Sequence, residues 1–115
     1  MVGRFVLSQA SNGQYMFNLK AGNGETILTS ELYTSKSGAL HGIESVKKNA
    51  ALEGRYDRRA ATNGSPYFVL KAANGEEIGR SETYSSAGAM ENGIQSVMRN
   101  APEASVVDET GSGAQ

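Results

Sequence analysis

Two short polar sets carry the residue types that chemistry uses, Ser30-Glu31-x-Tyr33 and Ser81-Glu82-x-Tyr84. A hydroxyl, a carboxylate and a phenol at this spacing can bind a small polar ligand. They can equally tie a strand-to-helix corner through local hydrogen bonds. Strict strand alternation places Lys20 and Lys71 on the same, non-core face as Ser30 and Ser81. A nucleophilic serine needs a base, and a lysine is the base this pattern offers. The corner role is the preferred reading. Lys20, Ser30, Glu31, Tyr33, Lys71, Ser81, Glu82 and Tyr84 stand as the ligand-binding candidates, with no residue assigned as catalytic.

Other chemistries are narrowed by composition. The chain has no cysteine, which removes disulfides, thiolate metal sites and cysteine nucleophiles. His41 is the single histidine and is expected in solvent, so neither a metal site nor a cofactor is implied. Eleven basic and twelve acidic residues leave a net charge of −1, against general attraction to a phosphate backbone. The best nucleic-acid argument is the basic stretch Lys47, Lys48, Arg55, Arg58 and Arg59, but Tyr56 is its one aromatic. A solvated face is preferred there, and nucleic acid is the less favoured partner. Gly22-Asn23-Gly24 precedes no helix, so it reads as a hairpin turn and not as a phosphate-binding loop. The apolar run Phe5–Leu7 is too short for a signal-peptide core, and no stretch approaches the ~20 apolar residues of a membrane span. A cytoplasmic protein is expected.

The elements that position these groups follow from an internal repeat. Comparing residues 3–50 with 54–101 gives 23 identities in 48 positions without a gap. Two units of this size are each near the lower limit for independent folding, which predicts a shared core around a pseudo-twofold axis. Residues 1–51 form the first repeat, 52–102 the second, and 103–115 a polar tail. Within the tail, Ser105-Val106-Val107 can add a short edge strand, with disorder expected over 109–115.

Within a unit, a three-residue loop Ser11-Asn12-Gly13 with left-handed Gly13 sets Phe5 opposite Leu19 and Leu7 opposite Phe17. Thr62-Asn63-Gly64 pairs Tyr56 with Leu70 in the same way. The next turns set Leu19 opposite Ile27 and Leu70 opposite Ile78. The meander is expected over 4–10, 15–21 and 25–33. Apolar residues then recur at helical spacing: Ala39, Ile43, Val46, Ala50, and Met90, Ile94, Val97, Ala101. Ser35 and Ser86 are predicted N-caps, and Asn49 and Asn100 left-handed C-caps. Gly42 and Gly93 inside these helices predict close approach of the sheet or the other helix. Each unit reads β-β-β-α.

The pattern F-x-L-K-A-x-N-G-E-x-I-x-x-S-E-x-Y-x-S, then G-I-x-S-V-x-x-N-A, occurs at 17–35 with 42–50 and at 68–86 with 93–101. It resembles the YegP-like family of small, often tandemly duplicated bacterial and archaeal proteins of unknown function. The resemblance implies an α+β fold with antiparallel sheet and packed helices, and brings no activity, cofactor or catalytic residue. The first strands depart most, Phe5-Val6-Leu7 becoming Tyr56-Asp57-Arg58, which predicts a polar edge for the second unit. The non-core sheet face carries Val6, Met16, Leu28, Tyr67 and Val69, so the other unit, a second chain or a protein partner is expected to cover it. The leading reading is a non-enzymatic binding or interaction module. The alternatives are a small-ligand-binding protein or small enzyme using the Lys-Ser-Glu-Tyr face, and a nucleic-acid accessory protein using residues 47–59.

Overall fold

Each Asn-Gly loop turns the chain by the same local chemistry. Gly13, Gly24, Gly64 and Gly75 lie at φ between 88° and 90°, a region that a side chain disfavours. The preceding asparagine closes each loop, as where Asn12 Oδ1 accepts the Gln14 N–H at 3.0 Å. The computed structural model describes residues 3–110. Its strands are β1 Arg4–Gln9, β2 Tyr15–Lys20, β3 Thr26–Ser30, β4 Tyr56–Ala60, β5 Pro66–Lys71, β6 Glu77–Arg80 and β7 Ser105–Asp108. The helices are α1 Lys36–Asn49 and α2 Ala87–Asn100.

The first hairpin of each repeat takes the expected register: Phe5 faces Leu19, Leu7 faces Phe17 and Tyr56 faces Leu70. The second hairpin does not. Leu19 pairs with Leu28 and Leu70 with Gly79, because the register shifts by one residue beside Lys20 and Lys71. The extra residue is a bulge, which lets two consecutive side chains turn inward. Ile27 and Leu28 are therefore both buried on the helix side, and Leu28 leaves the non-core face where strict alternation put it. The third strands are shorter than expected; Tyr33 rejoins the sheet only as an isolated bridge to Tyr15.

The two repeats join edge to edge through β3 and β6, in one seven-stranded sheet of order β4-β5-β6-β3-β2-β1-β7. The seam is short: Thr29 faces Arg80, Ser30 faces Gly79, and the Glu31 N–H donates to the Ile78 carbonyl at 3.2 Å. It needs a glycine, since a Cβ at Gly79 would stand 2.8 Å from the Thr29 carbonyl oxygen. Both helices pack on one face, and a single cluster of buried residues draws on both halves of the chain. The duplication is thus α+β around a pseudo-twofold at the seam. β4 is a polar edge, with Tyr56 buried and Arg58 and Ala60 exposed. β7 forms as the expected edge strand but runs parallel to β1, so the sheet is mixed. Glu109 is also placed, its N–H donating to the Leu7 carbonyl at 2.7 Å. The disorder expected further along falls on residues 111–115, outside the described residues.

Ser35 and Ser86 cap the helices, accepting the Gly38 and Ala89 N–H groups at 3.0 and 3.1 Å. The asparagine C-caps are not left-handed. Asn49 and Asn100 turn their amides back onto the Ser45 and Ser96 carbonyls, both at 2.8 Å, and the helices run on into the right-handed residues Ala50 and Ala101. Gly42 and Gly93 do mark close approach to the sheet side, where Phe17 of β2 and Phe68 of β5 stand, and the nearest neighbour is a tyrosine of the same repeat. A Cβ at Gly42 would lie 2.3 Å from Tyr33 Oη, and one at Gly93 2.2 Å from Tyr84 Oη.

Gly42→Ala is expected to lower stability by about 1 kcal/mol, because overpacking at a pinned ring exceeds the gain in helix propensity. Gly88→Ala, with only Ser86 Oγ near at 3.9 Å, is expected to raise it by up to ~1 kcal/mol. Urea titration of both variants checks the opposite signs. The Lys36 ammonium beside Asp108 holds that carboxyl down to about 2. A depressed pKa stabilises above the unfolded value and is lost as pH falls through the folded one. The protection factor of the Glu109 amide, the exchange rate of an unstructured peptide relative to its own at the same pH, should therefore fall between pH ~4 and ~2, and Asp108→Asn should remove that fall.

Candidate functional site

The bulge decides what the serines do. It carries Ser30 and Ser81 to the helix side while Lys20 and Lys71 keep to the opposite face, so the four-residue polar face expected from strict alternation does not assemble. The Phe17 N–H donates to Ser30 Oγ at 2.8 Å, and the Ser30 hydroxyl donates to the Glu31 carbonyl at 2.7 Å. The second copy repeats this with Phe68, Ser81 and Glu82 at 3.0 and 2.8 Å. Each serine replaces a ladder partner and turns the chain out of the strand, leaving its oxygen committed to backbone.

The tyrosines are packed as well. Tyr33 stacks on Phe17, ring centroids 6.2 Å apart, and Phe17 meets Phe5 edge-on at 5.8 Å. Tyr84, Phe68 and Tyr56 form the same three-ring row. The Tyr33 hydroxyl reaches a corner cavity of about 250 Å³ lined by Glu31, His41, Gly42, Glu76 and Ile78. This cavity lies between repeats, since Glu76 comes from the turn before β6. Burial raises the Tyr33 phenol above its usual value, and the Glu31 and Glu76 carboxylates add to the rise. Burial likewise raises Tyr84, with Glu82 and Glu25 contributing. Among the described residues no group of three or more histidine, aspartate or glutamate side chains is arranged to hold a metal.

Two further clefts sit at equivalent places, each between the end of one helix and the turn of the other repeat. One of about 720 Å³ is lined by Asn23, Ser96, Arg99 and Asn100. Its counterpart of about 450 Å³ is lined by Asn74, Ser45, Lys48 and Asn49, with Arg55 donating to Asn49 Oδ1 at 2.8 Å. No sequence motif pointed to them, because each is built from segments about 75 residues or 25 residues apart that only the inter-repeat packing unites.

The basic 47–59 stretch is dispersed by the fold. Lys47 lies over the Phe5 ring, 6.0 Å from its centroid. Arg58 is held by Glu91 and Glu53, and Arg59 by Asp57 and Glu77. Arg59 belongs to the face opposite the helices.

No element covers that face among the described residues. The other repeat does not lie over it, contrary to one expectation from the sequence, because the repeats share one sheet and both helices take the other side. In the second repeat, Arg59 bonds Asp57 and Glu77 at 2.9 and 3.0 Å, and Lys71 stands 3.5 Å from Asp57. Val69, paired between Asp57 and Arg80, is fully buried beneath this lattice. In the first repeat the strands β1–β3 present Arg4, Val6, Met16, Asn18, Lys20 and Thr29 on the corresponding surface.

The architecture defines a class: a tandem-duplicated α+β protein with one mixed sheet, two helices on one side and an open face on the other. The chain belongs to the family described as Domain of unknown function (DUF1508), which matches residues 10–57 and 61–108. These stretches begin 51 residues apart, the period of the internal repeat. A UPF0339 protein of Shewanella oneidensis is 56% identical over 110 residues, covering 96% of this chain and 100% of that protein. The UPF0339 protein YegP of Escherichia coli is 54% identical over 110 residues with the same coverage. Solution NMR structures of these two relatives superpose with TM-scores of 0.90 and 0.92, covering 96% and 97% of this chain and 93% and 97% of theirs. No helix among the described residues is long and apolar enough to cross a membrane.

Ser30→Ala is expected to cost about 1–3 kcal/mol, since it leaves the buried Phe17 N–H without its acceptor. The exposed Glu31→Gln should stay within ~0.5 kcal/mol of the parent. Urea unfolding of both checks that the serine acts in the fold.

Proposed function

We propose that this protein is a non-enzymatic interaction module that binds a partner protein through the sheet face the helices leave open. One observation carries this reading. The face has no covering element among the described residues, and around the buried Val6 it presents half-buried Met16 and exposed Val107. An apolar strip on an open sheet, rimmed by charge, has the make-up of an interface. The hydroxyl and phenol groups that offered catalytic chemistry support the same reading, being engaged in backbone bonds and ring packing. A cytoplasmic setting belongs to this reading, in keeping with a chain free of cysteine.

The corner cavity favours a second reading. Glu31, Tyr33, His41 and Glu76 converge there, which suits a small cationic or polar ligand, with Glu82 and Tyr84 as the counterparts in the second repeat. A thermal-shift screen of small amines tests it: hits should disappear in Glu31→Gln. The 47–59 cations support nucleic-acid binding least, since Arg58 and Arg59 are already paired.

The leading reading is tested with a photo-crosslinking residue placed at Asn18 on the open face or at exposed Glu44 on α1, in the full chain expressed in a bacterial host. Discrete protein adducts from position 18 and none from 44 are expected. No adduct at 18, or the same adducts from both, overturns it.

A further inference from the structure

The two copies of the sheet face share a lysine but treat it differently. Lys71 lies opposite Glu77 and beside Asp57, so its charge is answered. The positions equivalent to Glu77 and Asp57 in the first repeat are Thr26 and Val6. Lys20 therefore keeps its charge without either carboxylate, and the residue directly across from it on β1 is Arg4. Among the described residues neither Arg4 nor Lys20 comes within ion-pair distance of an acidic group. Like charges directly opposite on neighbouring strands destabilise a sheet. Their retention on an uncovered face points to an anionic group supplied from outside.

The surroundings narrow what that group belongs to. Arg80 lies on the same face, across β3 from Asn18, in a loose ion pair with Glu77 at 3.6 Å that leaves its side chain half exposed. At ~4.8 Å between strands and ~3.4 Å per residue, Arg80 stands about 12 Å from Lys20. Alternate side chains of an extended chain are ~7 Å apart, so carboxylates two and four residues on span this distance. Asn18 and Thr29 lie between the cations, with Thr29 Oγ1 donating to Asn18 Oδ1 at 2.9 Å, and Val6 and Met16 form an apolar margin. Among the described residues no aromatic ring stands on this half of the face, whereas a single-stranded nucleic acid needs rings on which its bases can stack. The net charge of −1 also confines the attraction to this patch.

We infer that the first repeat's half of the open face, centred on Arg4 and Lys20, docks an extended acidic segment of a partner protein, which lays alternate carboxylates over Arg4, Lys20 and Arg80. This rests on the interaction-module reading and names its partner's chemistry.

The test uses the full chain and a synthetic octapeptide with glutamate at alternate positions and valine or serine between. Peptide binding should perturb the amides of β1, β2 and Thr29, and should weaken as salt is raised. Lys20→Glu should weaken binding at least ~tenfold while raising Tm by about 1–4 °C, because it converts a repelling pair into an attracting one. Arg4→Gln should weaken binding without loss of fold, and Lys71→Gln should leave it unchanged. Retained affinity in Lys20→Glu overturns the proposal, as does an oligo-dT of equal charge binding as tightly as the peptide. Absence of peptide binding alongside crosslinks at position 18 overturns the acidic partner and leaves the interaction module standing. Absence of both overturns both.

Discussion

Two residue pairs hold the halves of this protein in one sheet. Thr29 against Arg80 and Ser30 against Gly79 form the whole β3–β6 ladder, with the Glu31–Ile78 hydrogen bond continuing it. Backbone approach this close leaves no space for a Cβ at Gly79. The equivalent position in the first repeat, Leu28, holds a large buried side chain, and its Cγ would lie 3.2 Å from that absent Cβ. The repeats thus depart from identity where they meet, one copy filling the space the other vacates. Because the seam is antiparallel and edge to edge, both helices fall on the same side, and the opposite side stays bare.

The bulge in each second hairpin is the next constraint in order. It turns Ile27 and Leu28 inward together, which thickens the core under the helices. It also reverses the side on which every later residue of β3 stands. Ser30 arrives next to the Phe17 N–H because of this reversal, and Lys20, before the bulge, does not follow. From Ser30 the chain leads to Tyr33, whose ring is clamped between Phe17 and the helix backbone at Gly42. The serine and tyrosine of the polar motif thus tie the strand-to-helix corner in both repeats.

Duplication also explains why the two sheet faces differ electrostatically. The second repeat balances its cations on Asp57 and Glu77 and buries Val69 beneath them. The first repeat has the cations without the balance. A requirement of the fold would be met in both copies, so an unanswered charge in one copy marks a feature that the fold itself does not require.

The periodicities in the chain determined the repeat, the β-β-β-α order, the first-hairpin register, the serine N-caps and the core rows, since each depends on residues within a few positions of one another. The glycines at 42 and 93 announced close contact, but not that a tyrosine nine residues earlier supplies it. What only the tertiary structure decided was set by non-local pairing. A one-residue bulge changes the face without changing the sequence pattern, so Ser30 and Lys20 looked like neighbours and are not. The parallel docking of β7 on β1, the clefts between repeats and the bare face all depend on how the halves meet. That meeting is governed by Gly79 and two residue pairs, and it leaves no periodic trace in the sequence.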